Sequence, residues 1–162
     1  MNLNNIIIGA ENFKYKEFIR SSTATRLGIS NLPNSDQWKK IELLVRNILQ
    51  PIRNEFGPIR ITSGFRSIPL CLAIGSSHYS NHARGEASDI EPYSDETSLI
   101  DIVNFIYNNL KFRTLILEYF PHGWIHVDCR ENGNSKRLKI KDGNHHYKTV
   151  SIEYVNNYFR EL

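Results

Sequence analysis

Six histidines and a scattered set of carboxylates are the side chains of this 162-residue chain best suited to chemistry, and spacing sorts them. The segment Ser80-Asn81-His82-Ala83-Arg84-Gly85-Glu86-Ala87-Ser88-Asp89-Ile90 places His82 and Asp89 seven positions apart, with a glycine turn between them, at the edge of an apolar, strand-like run. A second such run, Trp124-Ile125-His126-Val127-Asp128, carries another histidine. Two imidazoles and one carboxylate complete the protein share of a catalytic zinc site, with the fourth position left to water. A metal-dependent hydrolase is the leading expectation.

Each residue also has a plainer reading. Asp89 lies in an apolar strand, and a buried carboxylate is costly unless a cation or a metal meets it. Taken alone, His82 and Asp89 read equally well as a buried ion pair. His126 alternates with Ile125 and Val127, so its side chain occupies the opposite sheet surface to theirs. His122 sits in a turn beside Pro121 and Gly123, and His78 is four residues from His82 in a glycine-flanked stretch unsuited to a helix. Both are second choices. His145 and His146 lie in a polar tail and read as solvated.

A zinc hydrolase also needs a group that takes a proton from water. If a hairpin turns about His122, Glu118 and His126 are equidistant from it and oppose each other on one face, with Cβ atoms roughly 4.5–5.5 Å apart. Glu118 is therefore the candidate base. Its plainer reading is a strand-end carboxylate paired with a lysine. Asp128, two residues beyond His126, is a rival base or a partner that orients that histidine. Arg66, in the turn Ser63-Gly64-Phe65-Arg66-Ser67, can bind a carboxylate or a developing oxyanion, or simply tie loop carbonyls together.

The elements that must position these residues follow from periodicity. Ser35 is expected to cap a helix whose Trp38, Ile41, Leu44, Val45, Ile48, Leu49 and Ile52 form one buried stripe. Pro51 should bend its last turn, and Phe56-Gly57-Pro58 stops it. Ile59–Thr62 alternates as a strand. Pro69 opens a short helix, Gly75 to Gly85 is a long polar loop, and Ala87–Glu91 is a strand. A helix from about Glu96 to Leu110 precedes a hairpin of Thr114–Tyr119 with Trp124–Arg130. Phe13–Ile19 forms a short helical turn, followed by a polar loop through Asn34. A weak strand near Leu138-Lys139-Ile140 and a short C-terminal helix end the chain. The expected fold is a small α+β domain, with a mainly antiparallel sheet and flanking helices. Its expected parts are an N-terminal arm (1–34), a catalytic core (35–130) and a C-terminal tail packed on the core (131–162).

Hydrophobic content of 40% and charged content of 23% are ordinary for a globular domain, and a net charge of +3 suits a polyanionic partner without demanding one. Cys71 and Cys129 lack the paired spacing of a structural zinc site and read as buried thiols. The N-terminus has no basic region and too short an apolar run for a secretory signal, so synthesis in a cytoplasm is expected. No transmembrane segment is visible.

Ser63-Gly64-Phe65-Arg66-Ser67, Ala73-Ile74-Gly75-Ser76-Ser77, Ser80-x-His82-x-x-Gly85-x-Ala87-x-Asp89-Ile90 and Trp124-Ile125-His126-Val127 occur in the order seen in the M15 peptidase family. From about Phe13 to Arg130 the chain resembles the phage-associated, zinc D-Ala-D-Ala carboxypeptidase-like members. The resemblance implies Zn2+ held by His82, Asp89 and His126, and Arg66 binding substrate or stabilising the transition state. It also implies the small α+β fold shared with the hedgehog signalling domain. Many members place an acid three positions before the last histidine, where this chain has Gly123, and a serine two positions after it, where this chain has Asp128. Glu118 is then the best remaining base.

The resemblance implies hydrolysis of peptidoglycan stem peptides, as a carboxypeptidase or endopeptidase, by a phage or prophage product reaching the wall at lysis or in a virion. The expected partner is bacterial peptidoglycan, with no nucleic acid, no membrane insertion and a monomeric state. The rivals are a zinc-retaining wall-attachment or virion module without hydrolysis, and a metal-free interaction domain.

Overall fold

Asn34 accepts a hydrogen bond from the Gln37 backbone N–H while the Gln37 side chain returns to the Asn34 backbone, and this reciprocal cap starts α2 (Ser35–Leu44). The cap is thus Asn34, one residue before the expected Ser35. The helix continues through a π-helical turn, Val45–Leu49, into α3 (Gln50–Phe56). Pro51 has no N–H for the carbonyl four residues back and its ring crowds that carbonyl, so the wider turn just before it takes up the misfit. The expected bend therefore appears as a π turn. Trp38, Ile41, Leu44, Val45, Ile48, Leu49 and Ile52 are all buried.

The computed structural model describes residues 2–161. Six strands, β1 (Ile59–Ser63), β2 (Ala87–Pro92), β3 (Thr114–Glu118), β4 (Trp124–Asp128), β5 (Arg137–Lys141) and β6 (Tyr147–Thr149), form one sheet in the order β1-β2-β4-β3-β5-β6. Every neighbouring pair is antiparallel except β3–β5. Strand alternation divides the labour between the faces. Ile90, Leu115, Leu117, Ile125, Val127, Leu138 and Ile140 join one core with α2, α3, α5 (Leu99–Asn109) and α6 (Ile152–Arg160). Each such side chain contributes about 1.5–3 kcal/mol by burial. Asp89, Glu118, His126 and Lys141 alternate with these residues on the opposite face. The expected α+β fold with a mainly antiparallel sheet is what forms.

Several local expectations need correcting. The segment read as a polar loop contains α1 (Ser22–Leu27), because Ser21 accepts from the Ala24 N–H and Gly28 closes the helix in the left-handed region at φ 63°. The short helix expected at Pro69 is α4 (Ile68–Ala73), and α5 begins at Leu99, three residues later than Glu96, because Ser98 caps it. β6 was not anticipated; its three residues are all exposed and have no buried side to pattern.

The largest correction concerns the hairpin. Glu118 pairs with Trp124 and Ile116 pairs with His126, so the connection centres on Pro121 and Glu118 does not oppose His126. The chain closes tightly after Glu118: a Cβ on Gly123 would stand 1.8 Å from the Glu118 carbonyl oxygen. The shift is by two residues, which preserves the face. Among the described residues no helix is long and apolar enough to cross a membrane.

Candidate metal centre

Asp89 and His126 are direct cross-strand partners on β2 and β4, so their side chains share a face at the closest spacing a sheet offers. His126 Nδ1 lies 2.8 Å from Asp89 Oδ1. His82 arrives from outside the sheet, on a short 3-10 turn, His82–Arg84. Gly85 reverses the chain after it at φ 75°, packed so closely on α2 that a Cβ would meet the Gln37 carbonyl oxygen at 2.6 Å. Gly85 thus supplies the glycine turn expected between His82 and Asp89, and the two side chains converge.

The His82 ring is held in one tautomer. Its Nδ1 lies 2.7 Å from the Gly64 carbonyl oxygen, an acceptor only, so Nδ1 carries the proton and Nε2 presents its lone pair. Gly64 reaches that position by packing on the Phe18 backbone, where a Cβ would sit 2.6 Å from the Phe18 carbonyl oxygen.

His82 Nε2, His126 Nδ1 and Asp89 Oδ1 form a triangle with edges of 3.2, 2.8 and 3.2 Å. A four-coordinate ion with donors at about 2.0–2.1 Å needs them roughly 3.3 Å apart. The triangle fits such an ion after shifts of a few tenths of an ångström, and these residues can hold a metal. All three side chains sit low in the surface, with His82 3% and Asp89 5% exposed.

The ionisable groups of the triangle perturb one another. Burial lowers the His82 pKa, outweighing the neighbouring Asp89. Burial acts the same way on His126, but the neighbouring carboxylates Asp128 and Asp89 outweigh it and raise its pKa to about 9. Asp89, although buried, is held well below the usual carboxylate range by His82 and His126. The cluster is thus anionic at its carboxylate, as a cation site requires.

A supporting layer fixes these side chains. The Arg66 guanidinium grips Asp89 Oδ2 through Nη2 and donates from Nε to Ser63 Oγ at 2.8 Å. Ser63 reaches that face because β1 bulges between Ile61 and Ser63, which brings Ser63 rather than Thr62 opposite Asp89. On the far side, Asp128 Oδ2 lies 3.6 Å from His126 Nε2 and accepts from Asn81 Nδ2 at 2.9 Å, with Arg113 Nη1 3.8 Å from Oδ1. Asp128 is 1% exposed, stands behind the histidine and does not line the cavity in front of it.

The triangle opens into a cavity of about 550 Å³ whose lining also includes Arg66, Glu118, Trp124, Lys141 and Tyr147. Glu118 faces this cavity although it does not oppose His126. Its Oε2 lies 3.0 Å from Lys141 Nζ, and its Oε1 accepts from the Tyr147 hydroxyl at 3.3 Å. The expected pairing of Glu118 with a lysine is therefore also present. Lys141 and Tyr147 escaped the sequence reading because only the parallel β3–β5 pairing brings the tail to this site. Asn81 was readable in principle, since it adjoins His82 in the motif.

The second-choice histidines lie apart from the triangle. His78 is exposed and stacks on Tyr79, and His122, His145 and His146 are exposed. Cys71 and Cys129 are buried free thiols, as expected, and burial pushes the Cys129 pKa up to about 12.

The comparison with curated proteins gives no match. The sequence model of the family described as Peptidase M15 matches residues 11–128, a span that holds His82, Asp89, His126, Arg66 and Glu118. The match covers well over half of the sequence, and the chain belongs to the peptidase M15 family.

Proposed function

We propose that this protein is a zinc-dependent peptidase that cleaves peptide bonds in the stem peptides of bacterial peptidoglycan, acting as a monomer at the wall. The observation that carries the reading is the closed triangle of His82 Nε2, His126 Nδ1 and Asp89 Oδ1 at the floor of an open cavity. Two imidazoles and one carboxylate suit zinc, and three protein ligands leave one position for water or substrate. Zinc bound there would polarise the scissile carbonyl and make water more acidic.

The remaining work falls to side chains. Asp89 and Glu118 are the two carboxylates that line the cavity, and Asp89 is committed to the triangle. Glu118 therefore accepts the proton from water and returns it to the leaving amine. Cross-strand diagonal positions are about 7–8 Å apart, against 4.5–5.5 Å for opposed ones, so Glu118 works across a gap wide enough for the reacting groups. Arg66 keeps Asp89 in register and presents its remaining donors to the cavity. A phage or prophage origin, with delivery to the wall at lysis or in a virion, accords with this chemistry.

A second reading is a zinc-holding wall-attachment module without hydrolysis. It is favoured by the engagement of Glu118 with both Lys141 and Tyr147. Metal analysis of the purified protein, followed by analysis of the fragments released from purified peptidoglycan, separates the two. The peptidase reading expects about one zinc per chain and new stem-peptide termini. Zinc without cleavage of any wall type selects the attachment module, and failure to bind zinc removes both.

A further inference from the structure

The metal cavity does not end at Arg66. Arg66 and Ile74 also line a second, larger groove of about 870 Å³ that runs along β1. Three arginines line it, Arg20, Arg60 and Arg66, and no aspartate or glutamate does. Arg20 is exposed and forms no ion pair among the described residues. Arg60 stands over the Tyr93 ring at 5.8 Å, and its contact with Glu91 is a 3.7 Å surface pair with the two side chains 57% and 34% exposed. Solvent screens a pair of that kind, so it is readily exchanged for a better partner.

The groove has a second property. β1 is the outermost strand and hydrogen-bonds only to β2. Among the described residues, no other backbone group bonds to the main chain of Ile59–Ser63. An open strand edge recognises an extended peptide through main-chain hydrogen bonds, and guanidinium forks beside it recognise carboxylates.

We infer that this groove binds an acidic peptide strand, the flank of the substrate on the Arg66 side of the cut bond. The inference rests on the peptidase reading for its place in the reaction, but not for its test. A polyphosphate chain offers negative charge without the backbone amides that an open strand edge matches.

The test is fluorescence anisotropy with two labelled hexapeptides, one carrying two glutamates and the other glutamines at the same places. They are titrated with the zinc-treated full chain and with its Arg20→Gln/Arg60→Gln variant, whose melting curve is checked. The wild type should bind the acidic peptide about tenfold more tightly, and the variant should lose that preference. In the wild type the preference should also collapse between about 0.05 and 0.5 M salt, which keeps the test decisive if the variant folds poorly.

Equal binding of the two peptides by the wild type would overturn the inference. So would a preference that survives in the folded variant, or displacement of the acidic peptide by a polyphosphate that binds more tightly. The readout needs no catalysis. An inactive protein that keeps the acid preference refutes the peptidase reading alone, whereas cleavage without any acid preference refutes the groove alone.

Discussion

Asp89 meets Arg66 through only one of its oxygens: Arg66 Nη2 takes Oδ2, while Oδ1 faces His82 Nε2 at 3.2 Å and His126 Nδ1 at 2.8 Å. The arginine thus holds the carboxylate in the rotamer that completes the triangle. Its expected contact with substrate is left to the donors not spent on Asp89 and Ser63.

Arg66→Lys keeps the charge but not the fork that spans Ser63 and Asp89. Zinc affinity should fall about 10–100-fold in a protein that still folds, as for other supports of metal ligands. Chelator competition measures it, and unchanged affinity would show that Asp89 needs no such support.

Zinc uptake should be proton-coupled. His126 is protonated in the metal-free protein up to about pH 9, and a metal must displace that proton. Affinity should therefore climb up to tenfold per pH unit and level off near pH 9. The same raised pKa stabilises the metal-free fold fully below its ordinary 6.5 and ceases to do so as pH rises to about 9. Chelator competition at several pH values, with melting curves of the metal-free protein, checks both signs.

Glu118→Gln and Asp128→Ala should fail in different ways. The first should keep zinc and lose about 10²–10⁴-fold in kcat, the range for removing a general base. The second should lose zinc affinity by about 10–100-fold, because His126 loses its orienting carboxylate. Metal content and kcat measured on both variants decide the assignment. Full activity in Glu118→Gln would remove Glu118 as the base.

Gly123→Glu, which places an acid three positions before His126, where the resemblance led one to be expected, should destabilise and not activate. Its Cβ would stand 1.8 Å from the Glu118 carbonyl oxygen. A cost of at least about 2 kcal/mol, or roughly 5 °C in Tm, is expected from such overpacking. Calorimetry reads it directly.

The gathering of His82, Asp89 and His126 was legible because its signal is local. His126 alternates with apolar neighbours, Asp89 sits in a buried strand, and Gly85 lets His82 return toward it. The face of Glu118 was legible for the same reason, because alternation fixes parity. Its register was not: that depends on how tightly Tyr119–Gly123 can close, which is a backbone matter. Tyr119 itself turns at φ 52°, a conformation no sequence pattern advertises for tyrosine. The Ser63 bulge and the tail contacts of Glu118 were hidden too, being products of long-range pairing. Ser21 and Gly28 did carry helix-end signals, but α1 has only six residues and too little periodicity to reveal it.

The parallel β3–β5 pairing gives the chain's last thirty or so residues a part in the chamber. The family match stops at Asp128, yet Lys141 and Tyr147, the partners of Glu118, both lie beyond it. The His82–Asp89–His126 triangle and one wall of the cavity are thus encoded in separate stretches of chain. Exchanging the later stretch would re-tune the surroundings of Glu118 while leaving the triangle as it stands.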